Sequence, residues 1–313
     1  MRKFLSLALA TSIVAVGLGM ATVAHAEYPE RPVTFIVPWP AGDLEDQLTR
    51  VITEEFTKMY GVPAKVVNVP GGGAVVGATQ VSQASPDGYT IGSFVVDVPT
   101  MHIIKANARY TRDTFEPVGI FMTYPFALVA KKDAPYNNLA ELAAYAKSNP
   151  IKLGHFGYDL IPSMETFVAA KQLGFKYSAD AAFDMLDCST LANGDADVIN
   201  TTMALMLSCL KDVKVIAAYT DKPLSVMPDG KLLSEQVPGL NTTLWNGLFV
   251  PKGTPKDVKD KIEAAAKAAM TSERTLSIAR ETGVGVYWQN AADSAVRIEQ
   301  DYKASEKLVQ DLK

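Results

Sequence analysis

Residues Pro38–Gln47 read Pro-Trp-Pro-Ala-Gly-Asp-Leu-Glu-Asp-Gln and join the apolar run Val33–Trp39, predicted as a strand, to the amphipathic stretch Asp43–Tyr60, predicted as a helix. A corner of this kind presents the first backbone N–H groups of a helix, unpaired and carrying a partial positive charge, beyond the strand end. Asp43, Glu45 and Asp46 crowd it. Two readings stay open. Asp43 caps the helix, with Asp46 in its first turn and Glu45 a solvated acid complementing the helix dipole, or the corner belongs to an acidic cleft whose ligand is not a simple carboxylate.

Outward from this corner, apolar β-branched runs alternate with helical periodicity. Ala64–Val69 and Tyr89–Val96 read as strands around a helix at Ala74–Ala84, with Pro70-Gly71-Gly72-Gly73 and Pro86-Asp87-Gly88 as turns. A second series has strands at Phe126–Ala130, Lys152–Phe156, Asp197–Asn200 and Val213–Ala218, and helices at Asn138–Lys147 and Ser163–Leu173. The chain then returns through a strand at Leu244–Val250 to helices after Pro255, with Thr254 as expected cap, at Glu273–Glu281 and at Ala291–Leu312. Such alternation predicts an α/β fold of mainly parallel sheets with helices on both faces. Two lobes are expected, residues 27–122 plus 226–313 and residues 123–225.

Arg2 and Lys3 precede the apolar run Leu5–Met20, and Ala24-His25-Ala26 has the small-x-small pattern of a cleavage site. Residues 1–26 therefore read as a signal peptide cleaved after Ala26, directing the chain to the periplasm. The net charge of −4 becomes more negative once Arg2 and Lys3 are removed, which argues against nucleic acid or an anionic membrane as partner. The two cysteines, Cys188 and Cys209, allow one bridge in an oxidising compartment or two buried thiols.

Several short motifs follow one another along the chain: Tyr28-Pro29-x-Arg31-Pro32, Val37-Pro38-Trp39-Pro40-Ala41-Gly42, Asn68-Val69-Pro70-Gly71-Gly72-Gly73, Ser85-Pro86-Asp87-Gly88-Tyr89-Thr90, Gly194-Asp195-Ala196-Asp197-Val198 and Pro251-Lys252-Gly253-Thr254-Pro255. On these, from Tyr28 to the C-terminus, the chain resembles the solute receptors of tripartite tricarboxylate transporters, the Bug family of periplasmic binding proteins. The resemblance implies a two-lobe, type II-like fold that closes on a small-molecule solute and hands it to membrane permease subunits, acting as a monomer without a cofactor. Hinge closure suits such receptors. It places Trp39, Ala41, Gly42, Asp43, Leu44, Asp97, Phe156, Tyr158, Asp159, Phe183, Asp184, Asn200 and Thr201 at the cleft, in loops at strand ends.

Family members typically bind organic acids through main-chain N–H groups, whereas this chain puts Asp43, Leu44 and Glu45 where the family has a glycine and small hydroxyl residues. Asp97, Asp159, Asp184 and Asp187 fall in further loops of the expected cleft, and Lys105, Lys131 and Lys152 fall in segments expected at the periphery. A ligand with a positive charge, or a polar neutral one, fits such a cleft, with Trp39, Phe94, Phe156, Tyr158 or Phe183 as stacking surface. A dicarboxylate held by backbone N–H groups, a bridging metal, and a receptor that signals to a membrane sensor are the alternatives. An enzyme is not expected. Beyond the leader only His102 and His155 are histidines, and no Gly-x-Ser-x-Gly, His-Glu-x-x-His or Cys-x-x-Cys occurs.

Overall fold

The first apolar run folds as β1 (Val33–Val37), and α1 (Leu44–Tyr60) follows it. The computed structural model describes residues 27–241 and 243–313, so the predicted signal peptide lies outside the described residues. Asp43 is the N-cap of α1 and accepts the Leu44 N–H at 2.8 Å. Gly61 ends the helix at φ 68°, a left-handed conformation that glycine adopts without strain, and donates its N–H to the Thr57 carbonyl. Between these caps Leu44, Leu48, Val51, Ile52 and Phe56 form the buried stripe. Each such side chain contributes roughly 1.5–3 kcal/mol by leaving water.

The chain continues through β2 (Ala64–Asn68), α2 (Val75–Ser82), β3 (Thr90–Val95), α3 (Met101–Ile104) and β4 (Phe115–Thr123). It crosses at Tyr124-Pro125 to β5 (Phe126–Lys131), α4 (Leu139–Ala146), β6 (Lys152–His155), α5 (Ile161–Gln172), β7 (Ala179–Ala182), α6 (Cys188–Ala192), β8 (Val198–Thr202), a 3-10 segment at Met203–Asp212, β9 (Val213–Ala218) and α7 (Leu233–Gln236). It returns as β10 (Trp245–Pro251), α8 (Lys256–Met270), α9 (Glu273–Thr282), β11 (Gly285–Asn290) and α10 (Ala291–Leu312). Two sheets result, ordered β11-β4-β10-β3-β1-β2 and β7-β6-β8-β5-β9.

Strand sense is mixed rather than mainly parallel. The βαβ units pair parallel, β1 with β2 and β3, and β6 with β7 and β8. The strands beside the crossings, β4, β5 and β10, pair antiparallel, because a strand fed directly from the other lobe has no crossover helix to turn it round. The segment after β9 stays with the second sheet: Leu232 bridges Ala218, and Gln236 donates to the Ile216 carbonyl and accepts the Leu139 N–H. The return crossing therefore lies after α7, later than the expected boundary at 225/226. Thr254 does not cap α8. Its hydroxyl donates to the Pro251 carbonyl, and Pro255 holds the N-cap position.

Cys188 and Cys209 form a disulfide, Cα–Cα 6.0 Å, tying α6 to the 3-10 segment. The C-terminal helix α10 packs against both sheet-one elements and α5 of the second lobe, where Lys171 donates to the Asp311 carbonyl. No helix among the described residues is long and apolar enough to cross a membrane.

Candidate functional site

The ends of β1, β3, β6 and β8 face one another across the gap between the sheets and enclose a cavity of about 50 Å³. Lobe one lines it with Trp39, Asp43, Glu45, Val95, Val96 and Asp97, and lobe two with Phe126, Phe156, Leu160, Pro162 and Thr202. Tyr124, at the crossing, and Leu244, before β10, complete the wall. No lysine or arginine is among these residues.

The carboxyl groups are fixed by local folding. Capping α1 leaves the Asp43 Oδ1 within 3.1 Å of the Thr202 hydroxyl, which donates to it from the other lobe. Glu45 lies one turn from Thr49 on the inner face of α1, is 2 % exposed, and accepts the Tyr124 hydroxyl proton at 3.0 Å. Asp97, 4 % exposed in the turn after β3, accepts the Ile161 N–H at the start of α5 at 2.6 Å. Asp46 turns away from the cavity. It takes the Gly42 N–H at 3.0 Å, pairs bidentately with Arg50, and accepts from Asn68, whose amide also donates to the Trp39 carbonyl. That network sets the shape of the Trp39–Gly42 loop.

Removal from water governs the charge of the site. Burial pushes Asp43 up to about 6, against the opposing hydrogen bonds from Leu44 and Thr202. It pushes Asp97 up to about 7, against the Ile161 N–H. Glu45 is raised well above the usual carboxylate range by burial and then by the neighbouring Asp43. Two carboxylates about 4 Å apart repel by about 4 kcal/mol at an effective dielectric of 20, so protons or a cation must compensate when the cleft is shut.

The remaining residues singled out in the sequence divide into three groups. Tyr158, Asp159, Phe183 and Asp184 line a separate, wider groove of about 510 Å³ that shares Phe156 and Leu160 as its wall with the cavity. Asp159 pairs there with Lys105 at 3.0 Å and accepts from Asn107, joining the lobes at the rim, so Lys105 is not peripheral. Ala41 and Gly42 are exposed, and Leu44 is buried in the core under α1. Asn200 is buried within β8, and Thr201 points back to donate to the Leu186 carbonyl. Strand alternation puts Thr202, not Thr201, on the cavity side. Phe94 is core, stacked on Phe249. His155 is fully buried against Tyr158 and Phe167, accepts the Gly157 N–H, and is held towards its neutral form by burial. Among the described residues no group of three or more His, Cys, Asp and Glu is arranged to hold a metal ion.

The family model described as tripartite tricarboxylate transporter family receptor matches residues 48–313. The chain belongs to this family. A UPF0065 protein of Bordetella pertussis is 30 % identical over 295 residues, covering 90 % of this chain and 89 % of that protein. Among solved structures, the periplasmic binding protein BugD superposes with a TM-score of 0.82 at 27 % identity, covering 91 % of this chain and 98 % of its own. MatC from Rhodopseudomonas palustris with bound malate superposes at 0.81 and 25 % identity, covering 90 % and 100 %. This member of the receptor family thus shares the two-lobe fold of periplasmic solute-binding proteins.

Proposed function

We propose that this chain, exported and cleaved after Ala26, is a periplasmic receptor that captures a small solute bearing a cationic group and delivers it, as a monomer, to membrane permease subunits. The observation that carries the reading is the convergence of Asp43, Glu45 and Asp97 on one cavity walled by Trp39, Phe126 and Phe156 and free of lysine and arginine. An ammonium or amidinium group answers both features, through charge-assisted hydrogen bonds to the carboxylates and attraction to the aromatic faces. Closure of the lobes, hinged at the two crossings, removes water from this pairing and strengthens it.

A dicarboxylate is the second reading, favoured by the malate held in MatC. In this cleft it requires the raised carboxyls to be protonated and to act as donors. Titration calorimetry of the mature protein against amines, amino acids and dicarboxylates, with and without chelator, separates the two. Amine-bearing solutes are expected to give the heat of binding at neutral pH. Tight binding of a plain dicarboxylate to metal-free protein would overturn the cationic reading.

A further inference from the structure

Helix α5 begins without a cap of its own. The residue before it is Leu160, which has no side-chain acceptor, and a proline follows in the first turn. A helix of twelve residues starting in that state presents unpaired N–H groups and a partial positive charge, which an anion satisfies. The anion is supplied from the opposite lobe. Asp97 reaches across from the turn after β3 to take the Ile161 N–H at 2.6 Å, and both partners are buried. At the facing start of α1 the same has happened within the lobe, where Asp43 takes the Leu44 N–H and Asp46 the Gly42 N–H. Both helix starts at the cavity therefore already hold carboxylates belonging to the chain.

We propose that Asp97 is the specificity-determining residue of the cleft: its carboxylate fills the anion position at the start of α5, so the receptor rejects solutes that would place a carboxylate there, and removing it converts the cleft to carboxylate binding. The proposal rests on the receptor reading above and deepens it. Of the three acids at the cavity, Asp97 is the one whose removal frees an N–H donor on the other lobe. Loss of Asp43 leaves the α1 donor within its own lobe, and Glu45 is bonded to the Tyr124 hydroxyl rather than to a helix start. Asp97→Asn keeps an acceptor for Ile161 while removing the charge, whereas Asp97→Ala and the shorter-reaching Asp97→Ser vacate the position.

The test is calorimetry of acetate, malonate and succinate against the mature wild-type protein and these three variants, with circular dichroism confirming the fold. Asp97→Ala and Asp97→Ser are expected to bind at least one of the acids about tenfold more tightly than wild type, and Asp97→Asn, which loses the charge but keeps the Ile161 N–H occupied, to gain clearly less than either. The proposal is overturned if the folded Ala and Ser variants gain nothing. Equal gains by Asn and Ala overturn it too, because charge alone and not occupancy would then govern rejection. The sign of the natural solute is read separately, from amine titrations of wild type. If those fail while the Ala variant gains acid binding, the cationic reading falls and the role of Asp97 stands.

Discussion

Glu45 illustrates how a residue acquires a charge state from its helical phase. Positions 45, 49, 52 and 56 follow one another at spacings of four, three and four, the inner stripe of α1, and all four are buried. That spacing was present in the sequence, yet an acid in a first turn also suits the helix dipole in solvent, and the second rule gave the wrong face. Asp43 and Asp97 were legible because a short loop at a strand end has few places to send a carboxylate. Tyr124 was not, since a boundary at 122/123 does not show which side chain beside it turns into the cavity, and at the end of β8, where the segment Asn200–Thr202 was expected at the cleft, a one-residue phase decides for Thr202 over Thr201. Burial and the neighbouring Asp43 raise the proton affinity of Glu45, so its ionisation in the folded protein opposes stability, and Glu45→Gln, which keeps an acceptor for the Tyr124 hydroxyl, removes that opposing contribution. Thermal unfolding at pH 7.5 is expected to rise by roughly 2–4 °C, the shift that about 1 kcal/mol gives in a domain of this size, with a smaller rise near pH 5. A lower Tm at pH 7.5 would show Glu45 to be ionised and paired.

At the scale of elements, strongly periodic segments were readable and irregular ones were not. Strand β4 carries Pro117 and Gly119, which argue against a strand, and the fold accommodates the proline at a register shift opposite Leu248 and Phe249. Strand β7 is exposed throughout, Ala-Asp-Ala-Ala, and lacks any apolar alternation to reveal it. The periodicity starts α5 at Ser163, two residues after its true beginning at Ile161, because its cap is not local in sequence: Asp97 lies 64 positions away. The disulfide belongs to this scale as well. It closes a loop of 21 residues between α6 and the 3-10 segment, and so ties together the two segments that flank β8 in the chain. By loop-closure entropy the bridge contributes about 3 kcal/mol against the reduced unfolded chain. The double variant Cys188→Ser, Cys209→Ser is expected to unfold in urea with a stability lower by that amount, and an unchanged midpoint would show that the tie constrains nothing that packing does not. At one helix end, Gly61→Ala forces a side chain into φ 68° and is expected to cost about 1 kcal/mol in the same measurement.

For the whole molecule, the polar bonds that join the lobes across the cleft end on carboxylates: Thr202 to Asp43, Ile161 to Asp97, and Lys105 with Asn107 to Asp159. The two that line the cavity have raised proton affinities, so their effect on closure runs opposite to that of an ordinary surface acid. Each binds a proton more readily in the folded, closed state than in the unfolded chain, where the ordinary value is 3.8. Their contribution to stability is therefore fully present below about pH 4 and is lost as pH rises through about 6 for Asp43 and about 7 for Asp97. A bound cation reverses the preference, because it favours the ionised carboxylates and draws their affinity for protons down. Capture of an amine should then release protons between pH 5 and 7, and its affinity should weaken as pH falls through that window and level off above about pH 8, where Asp43 and Asp97 are already ionised. The steepest dependence is about tenfold in Kd per pH unit for each proton released. Calorimetry of the same amine in buffers of different ionisation heat measures this directly, with about one proton released at pH 6 and fewer at pH 8. Proton uptake at pH 6 would mean that the solute arrives as an anion and meets protonated carboxyls, and the receptor would then belong with the dicarboxylate binders despite the acidity of its cleft.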